Sequence, residues 1–186
     1  MRIEFRKARK GKDILYCERE DGSSTWAELL EGSGNPRVVV PHDLVHYVVE
    51  TVLGLDDAFF GFIERGLDLQ TSLCPDEKRA MRSEPDVLRA EAAVAALHAD
   101  FIEGPFDDEL RANRLRDACA GWRVAPFDIS RADWDSMRAK LEELGAAWVA
   151  LPRGAELTVV FSAGSGARGV RDARGRRKPQ GLPARA

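Results

Sequence analysis

Two of the three histidines in this 186-residue sequence, His42 and His46, stand four residues apart with Asp43 between them. In a helix this spacing places both imidazoles on one face, the arrangement that two histidine ligands of a metal commonly use. Neutral imidazoles suit a divalent metal such as zinc, and a neighbouring carboxylate can orient or deprotonate bound water. The segment therefore predicts a metal site, with Asp43 as the base or as a ligand-orienting group.

The polar residues of this segment share one side of the predicted helix. At about 100° per residue, His46 lies about 40°, Glu50 about 80° and Asp43 about 100° from His42. The other positions from 44 to 53 are almost all apolar, which is typical of a helix packed on most sides. Three interpretations follow: a metal site, a functional pocket of another kind, or a plain solvent-facing stripe.

A third metal ligand must come from elsewhere, because Glu50 lies about 12 Å of helical rise beyond His42. Glu50 can share an ion with His46, but hardly with His42 as well. His98 and Glu91 both interrupt the apolar face of a later predicted helix. They are separated by about 10.5 Å of rise, so only one of them is expected to reach a common ion. His98 is preferred, which gives a three-histidine site with Glu50 and Glu91 as alternative ligands.

The same residues also permit interpretations without a metal. Asp43 in the first helical turn is favoured by the positive end of the helix dipole. A neutral His42 together with exposed first-turn amides can bind an anionic group instead. His98 on an apolar face is more typical of a hydrogen-bonded core histidine than of a metal ligand. Whether the protein is an enzyme is left open by these patterns.

Charge is divided unevenly along the chain. The totals are 28 Lys+Arg and 31 Asp+Glu, yet residues 168–186 hold seven basic residues and one acid. The sequence predicts one globular domain over residues 1–163 and a basic, disordered tail over 164–186. The tail lacks aromatic residues and the body is acidic, so specific nucleic-acid binding is not expected. The partner is left open, and the tail is compatible with docking to a protein.

Composition and targeting signals favour a cytoplasmic protein. Hydrophobic residues make up 44% and charged residues 32%, a globular mix that excludes collagen-like, fully disordered and membrane-embedded classes. The N-terminus is charged and no apolar run approaches the length of a membrane span. Three widely spaced cysteines suit a reducing compartment and predict neither a disulfide framework nor a zinc ribbon.

Strand and helix patterns predict an α+β fold. Alternation or β-rich composition indicates strands at 3–5, 14–17, 25–27 and 157–161, with an Asp21-Gly22 hairpin and a loop at 31–36. An extended run is expected at 38–40, before Pro41. The N-terminal antiparallel strands are expected to be joined by the late strand, with the helical middle packed on one face.

Helix signals divide that middle into five segments. The predicted helices run from Pro41 to Leu53 with Gly54 as the stop, and over 57–65 with Gly66 as the left-handed cap. A capping box of Ser83 and Asp86 predicts a long helix to about 102, and another follows Pro105 to about 121. A second capping box at Ser130 and Asp133 begins a helix that ends near Gly145.

Two parts of the chain resemble an uncharacterised family of small bacterial proteins. The first part comprises Pro41-His42-Asp43-Leu44-Val45-His46, then Val48-Val49-Glu50, Leu53-Gly54-Leu55 and Phe60-Gly61. The second comprises Trp148, Leu151, Pro152, Gly154 and Leu157. No activity is established for that family, so the resemblance implies no chemistry.

The leading hypothesis is a small cytoplasmic protein whose His42, Asp43, His46 and Glu50 line a pocket that binds a divalent metal and is hydrolytic. The alternative is a non-catalytic ligand-binding or protein-interaction domain with a basic docking tail. It follows from the lack of a complete catalytic constellation in the sequence.

Overall fold

The computed structural model describes residues 1–29, 40–71 and 74–162. The predicted loop at 31–36, most of the extended run before Pro41 and the predicted tail at 164–186 lie outside the described residues.

Four strands form one antiparallel sheet in the part of the chain that the structure describes. They are β1 (Arg2–Arg6), β2 (Ile14–Glu18), β3 (Ser24–Glu28) and β4 (Glu156–Val160), in the order β3-β2-β1-β4. Arg2 pairs with both Glu18 and Val160, so the first strand lies between the second and the last. The prediction that a late strand joins the N-terminal strands is confirmed.

Side chains alternate across the sheet as the period of two requires. Ile3 and Phe5 are fully buried on one face of β1, and Leu15 and Cys17 continue that face on β2. The described residues between β3 and β4 form six helices, which are α1 (His42–Leu53), α2 (Phe59–Glu64), α3 (Pro75–Arg82), α4 (Pro85–Glu103), α5 (Asp108–Trp122) and α6 (Arg131–Ala150). The helices pack against the sheet, which confirms the α+β fold class.

α1 ends where its sequence predicts. Gly54 adopts the left-handed conformation, with φ 63°, and its N–H donates to the carbonyl of Glu50. A residue without Cβ adopts this conformation at low cost. The helix itself contacts α4 and α6, so its polar side is enclosed by other elements.

The prediction of a capping box at Ser83 and Asp86 is wrong. Ser83 instead ends α3, where its hydroxyl donates to the carbonyl of Ala80. α4 begins at Pro85 after an extended Glu84 that makes no side-chain cap. Proline fits the first helical turn because its missing N–H has no partner there, so it alone suffices to start the helix.

Three further differences from the predicted helices concern α3, α2 and the end of α6. α3 is absent from the predicted elements, although Cys74 and Glu77 cap it reciprocally through side chain and backbone. α2 is shorter than the predicted segment at 57–65, because Ala58 is extended and the helix begins only at Phe59. The Ser130–Asp133 cap of α6 is confirmed, since the Ser130 hydroxyl accepts the Asp133 N–H. The predicted end near Gly145 is wrong, because the helix continues through this buried glycine to Ala150.

Among the described residues, no helix is both long and apolar enough to cross a bilayer.

Candidate functional site

The polar side of α1 is buried. Asp43 and His46 are buried, and Glu50 is 1% exposed. His42, at the first position of the helix, is half-buried. The interpretation as a plain solvent-facing stripe is therefore wrong, because packing by α4 and by the segment that leads into α2 removes these side chains from water.

The Glu50 carboxylate contacts Nδ1 of the His46 ring. The Nδ1 of His46 lies 3.2 Å from Oε1 of Glu50, one helical turn further along. The other oxygen, Oε2, accepts the Phe60 N–H at 2.8 Å. An ionised carboxylate only accepts hydrogen bonds, so this contact places a proton on Nδ1 of the imidazole. In the neutral ring the lone pair is then on Nε2.

Burial and charge act together on this pair. The complete burial of Glu50 raises the pKa of its carboxyl group, although the His46 hydrogen bond and the Phe60 amide oppose the shift. Burial also acts to lower the pKa of His46, but the hydrogen bond and charge of Glu50, with Glu91 and Asp43, outweigh it and raise that pKa. The raised pKa values of both groups therefore favour a bound proton on the His46–Glu50 pair.

The free side of His46 faces α4. Its Nε2 lies 3.8 Å from Oε2 of Glu91, a residue that remains partly exposed. This separation exceeds a hydrogen bond. It is close to the distance of about 3.4 Å that separates a nitrogen and an oxygen ligand on one tetrahedral zinc.

The other two histidines lie beside this pair. The ring centroids of His42 and His46 are 4.8 Å apart. Burial, and then the neighbouring His46, lower the pKa of His42. Burial, and then His42, lower the pKa of His98. His46 thus faces Glu91, and His42 interacts with both Glu91 and His98.

Two imidazole nitrogens of the site have unmet hydrogen-bonding capacity. Nδ1 of His42 and Nε2 of His98 are buried and have no hydrogen-bond partner among the described residues. A buried polar atom without a partner costs about 1–3 kcal/mol. Unlike Nδ1 of His46, these two nitrogens form no hydrogen bond with the described residues.

Asp43 is buried in the first turn of α1. Its charge acts to raise the pKa of both His42 and His46, and it also acts on Cys17 in the sheet. Asp43 thus contributes negative potential to the histidine pair.

The predicted ligands do not converge into a formed metal centre. In the ranges that the structure describes, no group of three or more His, Cys, Asp or Glu side chains is arranged to hold an ion. The structure does bring His42, His46 and Glu91 together. Glu50 is directed into the fold, with both oxygens engaged, so it is placed as a support for His46 rather than as a ligand.

Sequence reasoning missed two features of this site. The Phe60 amide holds Glu50, and the Phe59 ring contacts His46 with its centroid 6.4 Å away. Both belong to the start of α2, and no spacing rule links them to α1. Glu91, rather than the preferred His98, lies next to His46, because the packing of α4 against α1 decides which side chains meet.

Comparison of the chain with protein-family models, with curated proteins and with solved structures finds no match. The family resemblance of residues 41–66 and 148–161 stays a prediction.

Proposed function

We propose that His42, His46 and Glu91 bind one divalent metal ion, with His98 as the available fourth ligand. The observation that carries the proposal is the support of His46 by Glu50. Metal-binding histidines commonly donate their other ring N–H to a carboxylate, which fixes the tautomer and increases the basicity of the ligating nitrogen. Here Nδ1 meets a fully buried carboxylate and Nε2 is directed at Glu91.

The unpartnered imidazole nitrogens support the same proposal. His42 lies beside His46 and interacts with His98, and each of these two histidines has one buried nitrogen without a partner among the described residues. An ion at this place would supply the missing interaction after small side-chain rotations. These rotations are required, because the side chains as they stand do not converge on an ion.

The donor set favours zinc or another borderline divalent ion. Two imidazoles and one carboxylate, from His42, His46 and Glu91, form a set that proteins use for zinc with the fourth position left for water, which is the position that His98 would occupy if it also bound. A bound ion of this kind lowers the pKa of its water and so supplies hydrolytic chemistry. Asp43 is the buried carboxylate near the histidines that would orient a ligand or accept a proton.

The test is calorimetric titration of the chelator-stripped full chain with Zn²⁺. We expect saturable binding of one ion per chain. His46→Ala should weaken binding at least 100-fold and Glu91→Gln at least 10-fold. Glu50→Gln should weaken it by about 10- to 100-fold, the usual effect of losing a supporting hydrogen bond.

Two controls make the result specific. Glu103→Gln removes an exposed carboxylate of the same helix, paired with Arg114, and should leave zinc binding unchanged. Cys74→Ser removes the exposed thiol and should also leave it unchanged. Lack of one-to-one binding, or equal binding by wild type and Glu91→Gln, would contradict the proposal and favour a non-catalytic domain.

A further inference from the structure

The outer edge of the sheet at β4 carries backbone groups that point away from the fold. In the pairing with β1, Ile3 faces Val159 and Phe5 faces Leu157. The N–H of Phe161 donates to Met1 and that of Lys7 donates to Ala155, each at 2.9 Å. Hydrogen-bonded and non-hydrogen-bonded pairs alternate in an antiparallel ladder. The N–H and C=O groups of residues 156, 158 and 160 therefore point outward.

Only one of these six groups has a partner among the described residues. The Tyr47 hydroxyl donates to the carbonyl of Val160 at 3.1 Å. β4 contains neither lysine nor proline, the residues that commonly prevent pairing at an edge strand. The Val160 side chain is 63% exposed. Within the ranges that the structure describes, the edge is thus open to another strand.

The apolar face of the sheet is also incomplete at this edge. Ile3 and Phe5 are fully buried on β1, whereas Val159 and Leu157, their partners on the same face of β4, are only half-buried. A strand added beside β4 would cover the remaining apolar surface of both side chains. Such burial is favourable at about 25 cal/mol per Å².

We propose that a second copy of this chain pairs with β4 across a two-fold axis at Thr158. In this register Thr158 faces Thr158 of the second copy, and Glu156 faces Val160. All six outward groups of each chain then find partners, since the Val160 carbonyl has a second lone pair beside the Tyr47 bond. The two sheets join into one antiparallel sheet of eight strands.

The sequence of β4 fits a copy of itself in this register. Leu157 of one chain faces Val159 of the other, so each chain covers the half-buried apolar residues of its partner. The two Glu156 carboxylates stand about 14 Å apart along the strands, which avoids repulsion between them. A parallel arrangement would instead place like charges beside each other.

Disulfide trapping tests the register in the full chain. Across a hydrogen-bonded antiparallel pair the Cα atoms lie about 5.5 Å apart, which a disulfide can span. Thr158→Cys in a Cys74→Ser background should give a covalent dimer under mild oxidation. Val149→Cys in the same background, at an exposed valine of α6, should give at least ten-fold less dimer. Equal cross-linking of the two variants would overturn the proposal.

Sedimentation tests the unmodified association. Wild type should show a concentration-dependent dimer, and Val160→Lys should raise its dissociation constant at least 10-fold. Val149→Lys makes the same change on α6 and should leave it unchanged. A melting temperature within a few degrees of wild type for both variants confirms that they fold. A wild-type monomer at every concentration would overturn the proposal, as would a dimer that Val160→Lys does not weaken.

Discussion

His46 depends for its orientation on a carboxylate one helical turn away, and that carboxylate depends on the Phe60 amide. The i, i+4 spacing of His42, His46 and Glu50 can be predicted from sequence because a helix fixes it. The Phe60 contact cannot, since it joins the end of α1 to a separate short helix. The spacing along α1 thus determines which carboxylate contacts His46, whereas the tertiary structure determines the contact that positions Glu50.

The three cysteine thiols differ in burial, and we expect their reactivity to differ for that reason. All three are free thiols, with Cys17 and Cys119 buried and Cys74 exposed. Burial raises the pKa of Cys17 to about 12, although Arg19 opposes the shift. At pH 8 a group with this pKa is a thiolate in a fraction on the order of 10⁻⁴, and the thiolate is the reactive form.

We expect iodoacetamide at pH 8 to modify one thiol per native chain, at Cys74, and all three thiols in denaturant. Peptide mass spectrometry measures each site. Cys74→Ser should abolish the fast modification. Modification of Cys17 in the native protein at the rate of Cys74 would show that its burial is not maintained in solution.

At the scale of elements, α2 is held closely against the loop before it. A Cβ at Gly61 would stand 1.8 Å from the carbonyl oxygen of Asp56, so only glycine fits without a backbone shift. This position lies in the Phe60-Gly61 pair of the resembling segment. The sequence shows the glycine, but the close approach that requires it exists only in the folded chain.

Gly61→Ala should therefore destabilise the protein by about 2 kcal/mol or more, as overpacking does. Gly121→Ala is the matched change, because a Cβ there meets nothing within 4 Å. It should be neutral or stabilise the helix by up to about 1 kcal/mol. Urea denaturation measures both effects. Equal stability of the two variants would contradict the close packing of α2.

α3 shows why one element escaped prediction. It has no buried residue, so it lacks the apolar periodicity by which helices are recognised in a sequence. Its start depends on the Cys74–Glu77 capping box, in which a cysteine takes the place usually held by serine or threonine. α1 and α6 were predictable because each has an apolar face and a recognisable start or stop signal.

At the scale of the whole molecule, one buried carboxylate joins three helices. Asp100 of α4 is fully buried and accepts from Arg111 of α5 at 3.2 Å and from Arg138 of α6 at 2.7 Å. It also accepts the Phe106 N–H at 2.8 Å. Burial acts to raise the pKa of Asp100, but these donors outweigh it and lower that pKa.

Asp100→Asn should destabilise the protein by about 3 kcal/mol at pH 7, because it removes the buried carboxylate that pairs with both Arg111 and Arg138. Asp135→Asn removes a 57% exposed carboxylate that also contacts Arg111 and should cost less than about 1 kcal/mol. Urea denaturation at several pH values measures both effects. The contribution of Asp100 is present above its unfolded pKa of about 3.9 and is lost as pH falls through its lower folded pKa.

The difference in free energy of unfolding between wild type and Asp100→Asn should thus become smaller as the pH falls below about 4. A difference that stays constant down to pH 2 would show that the charge of Asp100 is not what holds the three helices together.

The sequence by itself determined the strands, the helix of the histidine pair and the α+β class, because these depend on periodicity and on local start and stop signals. The tertiary structure decided that the polar side of α1 is buried, that Glu91 rather than His98 faces His46, and that β4 presents an open edge. Each of these depends on how distant segments meet. Hydrogen bonds and burial between such segments are set by the direction and packing of whole elements, which no local pattern records.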